Sequence, residues 1–405
     1  MYRSGKAMPG SLPGRRMRNE NLRRSPENHQ IAKIHPNYNM NNKIIIYCIS
    51  VAALLTVSCK NHTGQSGMEK SSENLTVKWD AESLRDISTI IEDVSYIPIE
   101  THSDGLFNSE RITKLMIAGE KILILERVGT GALLMFDMNG RFERRIGKRG
   151  QGPGEYTMIM AFTADDNYLY ILDAPRKSVL IYDYSGNYIR ELKTEKHPYD
   201  IAVLDNGDFL LAYHIQPKRM ESAYRIEILD KDMNLKKELF PMNETDSEIG
   251  MDYYFVHSGD KITYQNYIQD TVVVFDAGNG NYNFIGFDFN NKVPEELRSG
   301  LDFGNRGYQF LGNNTAVTVG KYLVFTVSMR AYVLDTEQGY IYSNGKYPVF
   351  DMPQAGYKGK IATTVNGRYY RQAIKHDIWP KAPEKTHEYL LKDDENTALM
   401  LYKFK

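Results

Sequence analysis

The chain has 405 residues, 50 Lys/Arg against 51 Asp/Glu, 42% hydrophobic and 25% charged residues. That balance excludes a polyelectrolyte or wholly disordered protein and leaves ample length for a large core. Its two cysteines, Cys48 and Cys59, both lie early, so no intrachain disulfide or thiolate metal site is available beyond Cys59.

In chain order, residues 1–39 are polar and basic and carry no periodic apolar pattern. They read as a disordered basic leader or a mis-assigned start, ahead of Met40-Asn41-Asn42-Lys43. Residues 44–57 form an apolar run of 14 residues behind Lys43. A bilayer-spanning helix needs about 20. The shorter run has the length of a signal-peptide core, which makes residues 40–58 an export signal. Leu55-Thr56-Val57-Ser58-Cys59 resembles a bacterial lipobox, although Thr56 departs from the usual leucine. The resemblance implies cleavage before Cys59 and lipidation of that cysteine. Residues 59–83 then read as the lipidated cysteine and a flexible tether. No acidic cluster follows Cys59, which points to a periplasm-facing anchor in the outer membrane. Beyond residue 58 the chain keeps 41 Lys/Arg and 49 Asp/Glu. A mildly acidic mature domain is a poor partner for nucleic acid.

From residue 84 onward a repeat governs the pattern. An apolar residue, an aspartate and a Gly/Asn turn recur at Phe136-Asp137 to Gly140, Tyr182-Asp183 to Gly186, Leu229-Asp230 to Asn234, Phe275-Asp276 to Gly280, and Leu334-Asp335 to Gly339. Each lies between two alternating runs, as in a hairpin. A second pair of runs precedes each hairpin, six times in all. Its first members are 112–119, 160–166, 200–207, 254–260, 316–321 and 361–367. In the sixth unit, Arg368-Tyr-Tyr-Arg-Gln-Ala-Ile374 is the expected second strand and 398–404 the third. Four strands per unit at this period predict an all-β, six-bladed β-propeller over 84–405. The last unit lacks its fourth strand, and residues 94–99 are expected to supply it and close the ring.

Tyr96-Ile97-Pro98-Ile99-Glu100-Thr101, Phe136-Asp137 and Gly147-Lys-Arg-Gly-Gln-Gly-Pro-Gly-Glu-Tyr156 resemble the six-bladed propeller lipoproteins of gut Bacteroides, relatives of NHL-repeat propellers. The resemblance covers residues 84–404. It implies a fold, an anchor and a binding scaffold, and it brings no catalytic residues.

Candidate chemistry is sparse. The glycine-rich run 147–156 lacks a phosphate-loop ending and reads as a crossing between blades. The residues taken to open the inner strands are Arg111, Tyr156, Tyr199, Tyr253, Thr315 and Lys358, too poor in carboxylates for a calcium site. Tyr156, Tyr199 and Tyr253, with Arg111, are expected at one mouth of the channel as flat faces for a sugar or peptide. His214 and His257 come from neighbouring units within reach of each other. His376-Asp377 lies in a long loop with no assigned nucleophile. The insertion 287–314 carries Arg306 and Tyr308 as a lid or partner surface, with a short helix opened by Pro294. Thr271, in Asp270-Thr271-Val272, resembles a short Bacteroides O-glycosylation motif.

The expected function is an exported, lipid-anchored, monomeric binding module of the cell envelope. Its partner would be a glycan, peptide or envelope protein, with no cofactor, no metal and no catalytic set. A lyase or lactonase at the channel mouth and a scaffold of an outer-membrane complex are the alternatives.

Overall fold

The computed structural model describes residues 74–214, 221–246, 249–299, 307–312, 315–328, 330–343 and 353–405. The segment expected to be an export signal, Cys59 and Arg306 lie outside these residues.

Six antiparallel sheets form six blades, and the innermost strands neighbour one another in a closed cycle. The inner strands are Lys114–Ala118, Ala161–Ala164, Asp200–Val203, Phe255–Ser258, Val317–Val319 and Ala355–Tyr357, for blades 1 to 6. Among the described residues six apolar clusters match the six interfaces between blades. One joins Leu133 and Met135 of blade 1 to Phe162 and Leu180 of blade 2. The core is therefore a ring of apolar wedges, as expected when both faces of every blade are covered.

The recurring aspartates work as the sequence predicts. Asp137 accepts backbone N–H groups from Asn139 at 2.8 Å and Arg141 at 2.9 Å, and Asp335 accepts from Glu337 and Gln338 at 3.0 Å. Side-chain amide donation from Asn187 and Asn234, followed by backbone N–H groups, holds the Asp183 and Asp230 carboxyls below the usual range. Blade 3 places Met233 at the left-handed position, φ 67°, where the other four turns have glycine.

Ring closure occurs where expected, with a longer strand. Ile91–Pro98 pairs antiparallel with Thr397–Phe404 as the outer strand of blade 6. The turn of blade 1 rests on its end, and Glu100 N–H donates to Gly140 O at 2.7 Å. A Cβ at Gly140, φ 77°, would stand 1.9 Å from Pro98 O. Glycine is needed there for both its conformation and its lack of bulk.

Two features depart from the pattern read in the sequence. Leu75–Lys78 lies parallel to the outer strand of blade 4, Tyr282–Asp288, and Arg85–Asp86 lies parallel to that of blade 5, Ile341–Ser343. The N-terminal segment thus runs along the rims of blades 4 and 5 before closing blade 6, and Trp79 packs edge-on against Phe289 and Tyr332 between blades. In blade 6 the strands are shifted by one. Ala355–Tyr357 is the first and Lys360–Asn366 the second. The run expected as the second strand is instead a helix, α1, Gly367–Lys375. Asn366 caps it by accepting from Tyr369 N–H, and Tyr370 and Ala373 are buried at helical spacing. A second helix, α2, Glu384–Lys392, packs beside it. His376 and Asp377 end α1, with Asp377 at φ 52°.

Among the described residues of the insertion after blade 4 is a 3-10 turn, Glu295–Leu297, led by Pro294. Among the described residues no helix is long and apolar enough to cross a membrane.

Candidate functional site at the channel axis

The two ends of the channel differ. One end, where chains enter the inner strands, is crossed by side chains. Lys114 of blade 1 reaches Asp200 of blade 3 at 2.8 Å, and both are almost wholly buried. The other oxygen of Asp200 accepts the N–H groups of Tyr254 at 2.7 Å and Phe255 at 2.8 Å, from blade 4. One carboxylate therefore holds three blades together across the axis. Arg127, just past the second strand of blade 1, makes a second bridge. It donates to Asp252 Oδ1 at 2.6 Å, before blade 4, and to Met160 O at 3.3 Å, before blade 2.

The opposite end, where inner strands turn into second strands, holds a cavity of about 510 Å³ with walls from blades 1, 2, 3, 4 and 6. That size lies in the range of small-ligand sites, about 300–1,000 Å³. Two-residue turns shape its rim. Gly119-Glu120 and Lys358-Gly359 have both residues at positive φ, as the twist of tight hairpins requires. These turns bring Glu120 and Lys358 together from blades 1 and 6 at 2.6 Å, and Tyr357 donates to the second Glu120 oxygen at 2.9 Å. The Lys358 and Tyr357 hydrogen bonds hold the Glu120 carboxyl below its usual range.

Asp165, Asp166 and Asp205 add three more carboxylates to the wall. Asp165 is committed to its own turn, accepting from Asn167 and Tyr168 N–H and from Tyr170 Oη at 2.6 Å. Asp166 and Asp205 are exposed, and their carboxylates have no hydrogen-bond or ion-pair partner among the described residues. His257, from blade 4, lines the deeper wall. Burial lowers its pKa; Asp205 opposes that shift and Lys114 adds to it. A neutral imidazole thus sits between the bridged end and the open one. Among the described residues no group of three or more His, Cys, Asp and Glu is arranged to hold a metal ion.

The packing is tight at Gly356, where a Cβ would come within 1.9 Å of Ser258 Oγ on blade 4, two blades away. Ser258 in turn donates to Thr318 O of blade 5 at 2.5 Å.

The structure does not gather the residues expected at a tyrosine-lined mouth. Tyr156 is buried in the cluster between blades 1 and 2, where burial raises its pKa. Tyr253 is buried in a cluster with Val317 and Val365. Tyr199 is half-buried, edge-on to His214 at 5.6 Å, in a separate pocket of about 240 Å³ with His197 and Glu221. Arg111 is exposed at the end of a 3-10 turn, and Tyr308 is half-buried with its carbonyl accepting from Ser328. His214 and His257 line different pockets. Lys358 belongs to the open end, because the shift in blade 6 makes it a turn residue and not a strand opener. The signal for the cavity was present in the sequence as polar doublets at successive turns: Gly119-Glu120, Asp165-Asp166, Asp205-Asn206.

Thr271 opens the third strand of blade 4, half-buried, its hydroxyl donating to Asp270 Oδ1 at 3.1 Å.

The profile of the family described as Domain of unknown function (DUF4934) matches residues 72–402. The chain belongs to that family. No curated protein sequence matches it. Among solved structures, it is similar to a candidate exported protein of Bacteroides fragilis, with TM-score 0.63 and 16% identity over 82% of this chain and 99% of that one. A member of the DUF4221 family from Bacteroides vulgatus follows, with TM-score 0.43 and 11% identity over 78% and 97%. Virginiamycin B lyase from Staphylococcus aureus has TM-score 0.39 and 12% identity over 67% and 80%. At these identities the likeness to the first extends to the fold alone, and those to the other two carry no argument. The six-bladed fold and the likeness to the Bacteroides fragilis exported protein agree with the resemblance read in the sequence.

Proposed function

We propose that this DUF4934 protein is an exported, lipid-anchored binding module of the cell envelope, whose ligand enters the open end of the channel and presents a positive group there. The observation that carries this reading is the axial cavity, walled by five blades, with two exposed carboxylates that have no ion-pair partner among the described residues. A ligand ammonium or guanidinium would supply the missing partner for Asp166 and Asp205. Charge-assisted hydrogen bonds of this kind are the stronger ones. The neutral His257 adds no repulsion at pH 7. At the far end, bridges between blades cross the ring behind the cavity. A basic peptide segment or an amino-bearing glycan fits this chemistry.

Two experiments test the proposal. The mature protein is titrated with tri-lysine and with triglycine at low and at high salt. Tri-lysine is expected to bind, weakening as salt rises, and to lose about tenfold, or about 1.4 kcal/mol, in the Asp166→Asn/Asp205→Asn double variant. Equal binding of triglycine, or indifference to the double variant, overturns it. The anchor is tested in the native host, where Cys59→Ser should move the protein from the membrane to the soluble fraction. Retention in the membrane contradicts lipidation at that residue.

A further inference from the structure

A further cavity, of about 420 Å³, opens between blades 3 and 4 near the outer rim, and its chemistry is unlike that of the axial cavity. Three aromatic rings line it: Phe240 from the end of blade 3, and Tyr264 and Phe284 from blade 4. Phe240 lies nearly parallel to Tyr264 at 6.4 Å and edge-on to Phe284 at 5.7 Å. Its backbone has φ 59°, a conformation that a bulky side chain rarely adopts. The strain of such a residue persists only where the surroundings enforce it.

Two polar groups in this crevice are buried without partners among the described residues. They are the Tyr264 hydroxyl, on a side chain 3% exposed, and the Gln269 amide nitrogen. A buried polar group left unpaired costs about 1–3 kcal/mol. Tyr264 and Gln269 both line the cavity, and these two atoms lie behind its wall, so that a ligand group reaches them once a lining side chain shifts. The charged lining group is Arg225, and its guanidinium is engaged bidentately by Asp246, with Nε to Oδ2 at 3.0 Å. No net charge is therefore left to select an ion. Backbone addition of a peptide strand is also blocked on the blade 4 side. The outer strand Tyr282–Asp288 already pairs with Leu75–Lys78 on its free edge.

Flat aromatic faces, a hydroxyl and an amide donor, and no free charge describe the recognition of a neutral sugar. Its C–H face lies on the rings and its hydroxyls take up the lone donors. We propose that the crevice between blades 3 and 4 is a binding site for a neutral sugar unit, held by Phe240 and Phe284 and hydrogen-bonded by Tyr264 and Gln269.

The test uses the mature protein and two neutral probes, galactose and N-acetylglucosamine, followed by saturation-transfer NMR. At least one should bind. Tyr264→Phe and Gln269→Leu should each weaken that binding about tenfold, while Asp166→Asn/Asp205→Asn leaves it unchanged. Tyr264→Phe should leave the thermal midpoint unchanged or raise it, because the hydroxyl removed has no partner in the free protein. Failure of both sugars to bind overturns the proposal. So does binding that neither variant weakens, displacement of bound sugar by triglycine, or a lower midpoint in Tyr264→Phe, which would give the hydroxyl a structural partner.

Discussion

The two ends of the channel are built from the same six inner strands and meet opposite fates. At one end, buried opposite charges span the ring, and Asp200 gathers a lysine and the backbone of blade 4 around itself. At the other, carboxylates from successive turns stand around a cavity with one lysine among them. The difference teaches how a propeller separates stability from recognition. Charges that satisfy one another are buried at the ends of strands, and charges left for a ligand sit on tight turns, where solvent and partner can reach them.

The largest expected effect lies at the bridged end. Asp200→Ala leaves Lys114 buried without its anion and strips an acceptor from the N–H groups of Ile201, Tyr254 and Phe255, and should cost about 3–5 kcal/mol by chemical denaturation. Lys114→Met should cost less, since Asp200 keeps its backbone donors. Equal costs would show that the ion pair alone matters there. Where the packing is tight, Gly356→Ala forces a methyl onto Ser258 and should cost about 1–3 kcal/mol. Adding Ser258→Gly should recover part of that loss. Failure to recover would place the clash elsewhere in the ring.

A subtler effect comes from His257. Its native pKa is lowered by burial, with Asp205, Lys114, Asp166 and Asp260 around it. The unfolded chain therefore binds the proton more readily. The stability tied to neutral His257 is fully present above the ordinary pKa, about 6.5, and is lost as pH falls through it toward the native value. His257→Gln should flatten the stability profile in that window, measured as denaturation midpoint against pH. A profile identical to the parent's would show that the imidazole titrates normally. The smallest effect belongs to Arg127→Ala. Its partner Asp252 is largely exposed, and such pairs contribute about 0–1 kcal/mol. A loss well beyond that would make Arg127 a second structural bridge equal to Lys114.

The repeat was legible because each hairpin turn needs an aspartate to accept N–H groups and a residue at positive φ, and those demands recur in the chain. The closing strand was legible for a related reason: residues 94–99 alternate and have no local partner. The phase of blade 6 was not. Arg368–Ile374 carries tyrosines that suit a strand, but its apolar residues pair at Tyr369/Tyr370 and Ala373/Ile374, the spacing of a helix face, and the Asn366 cap starts that helix with Tyr370 and Ala373 buried. Leu75–Lys78 and Arg85–Asp86 are short parallel rim strands whose pairing depends on blades over two hundred residues away. No local propensity reports that. The mouth was misjudged because tyrosine serves equally well on a wet surface and between two sheets. Tyr156 and Tyr253 are buried in the second way.

The most direct test compares the two ends in one protein. Past Cys59 the chain has no cysteine, so single thiols can be placed at Asn167 in the cavity and at Val128 beside the bridged end, where Val128 is 67% exposed. Rates of N-ethylmaleimide labelling are then measured with and without tri-lysine. Protection of the thiol at 167 with no change at 128 is the predicted result, and protection at 128 alone, or at neither, contradicts a ligand seat among the turn carboxylates.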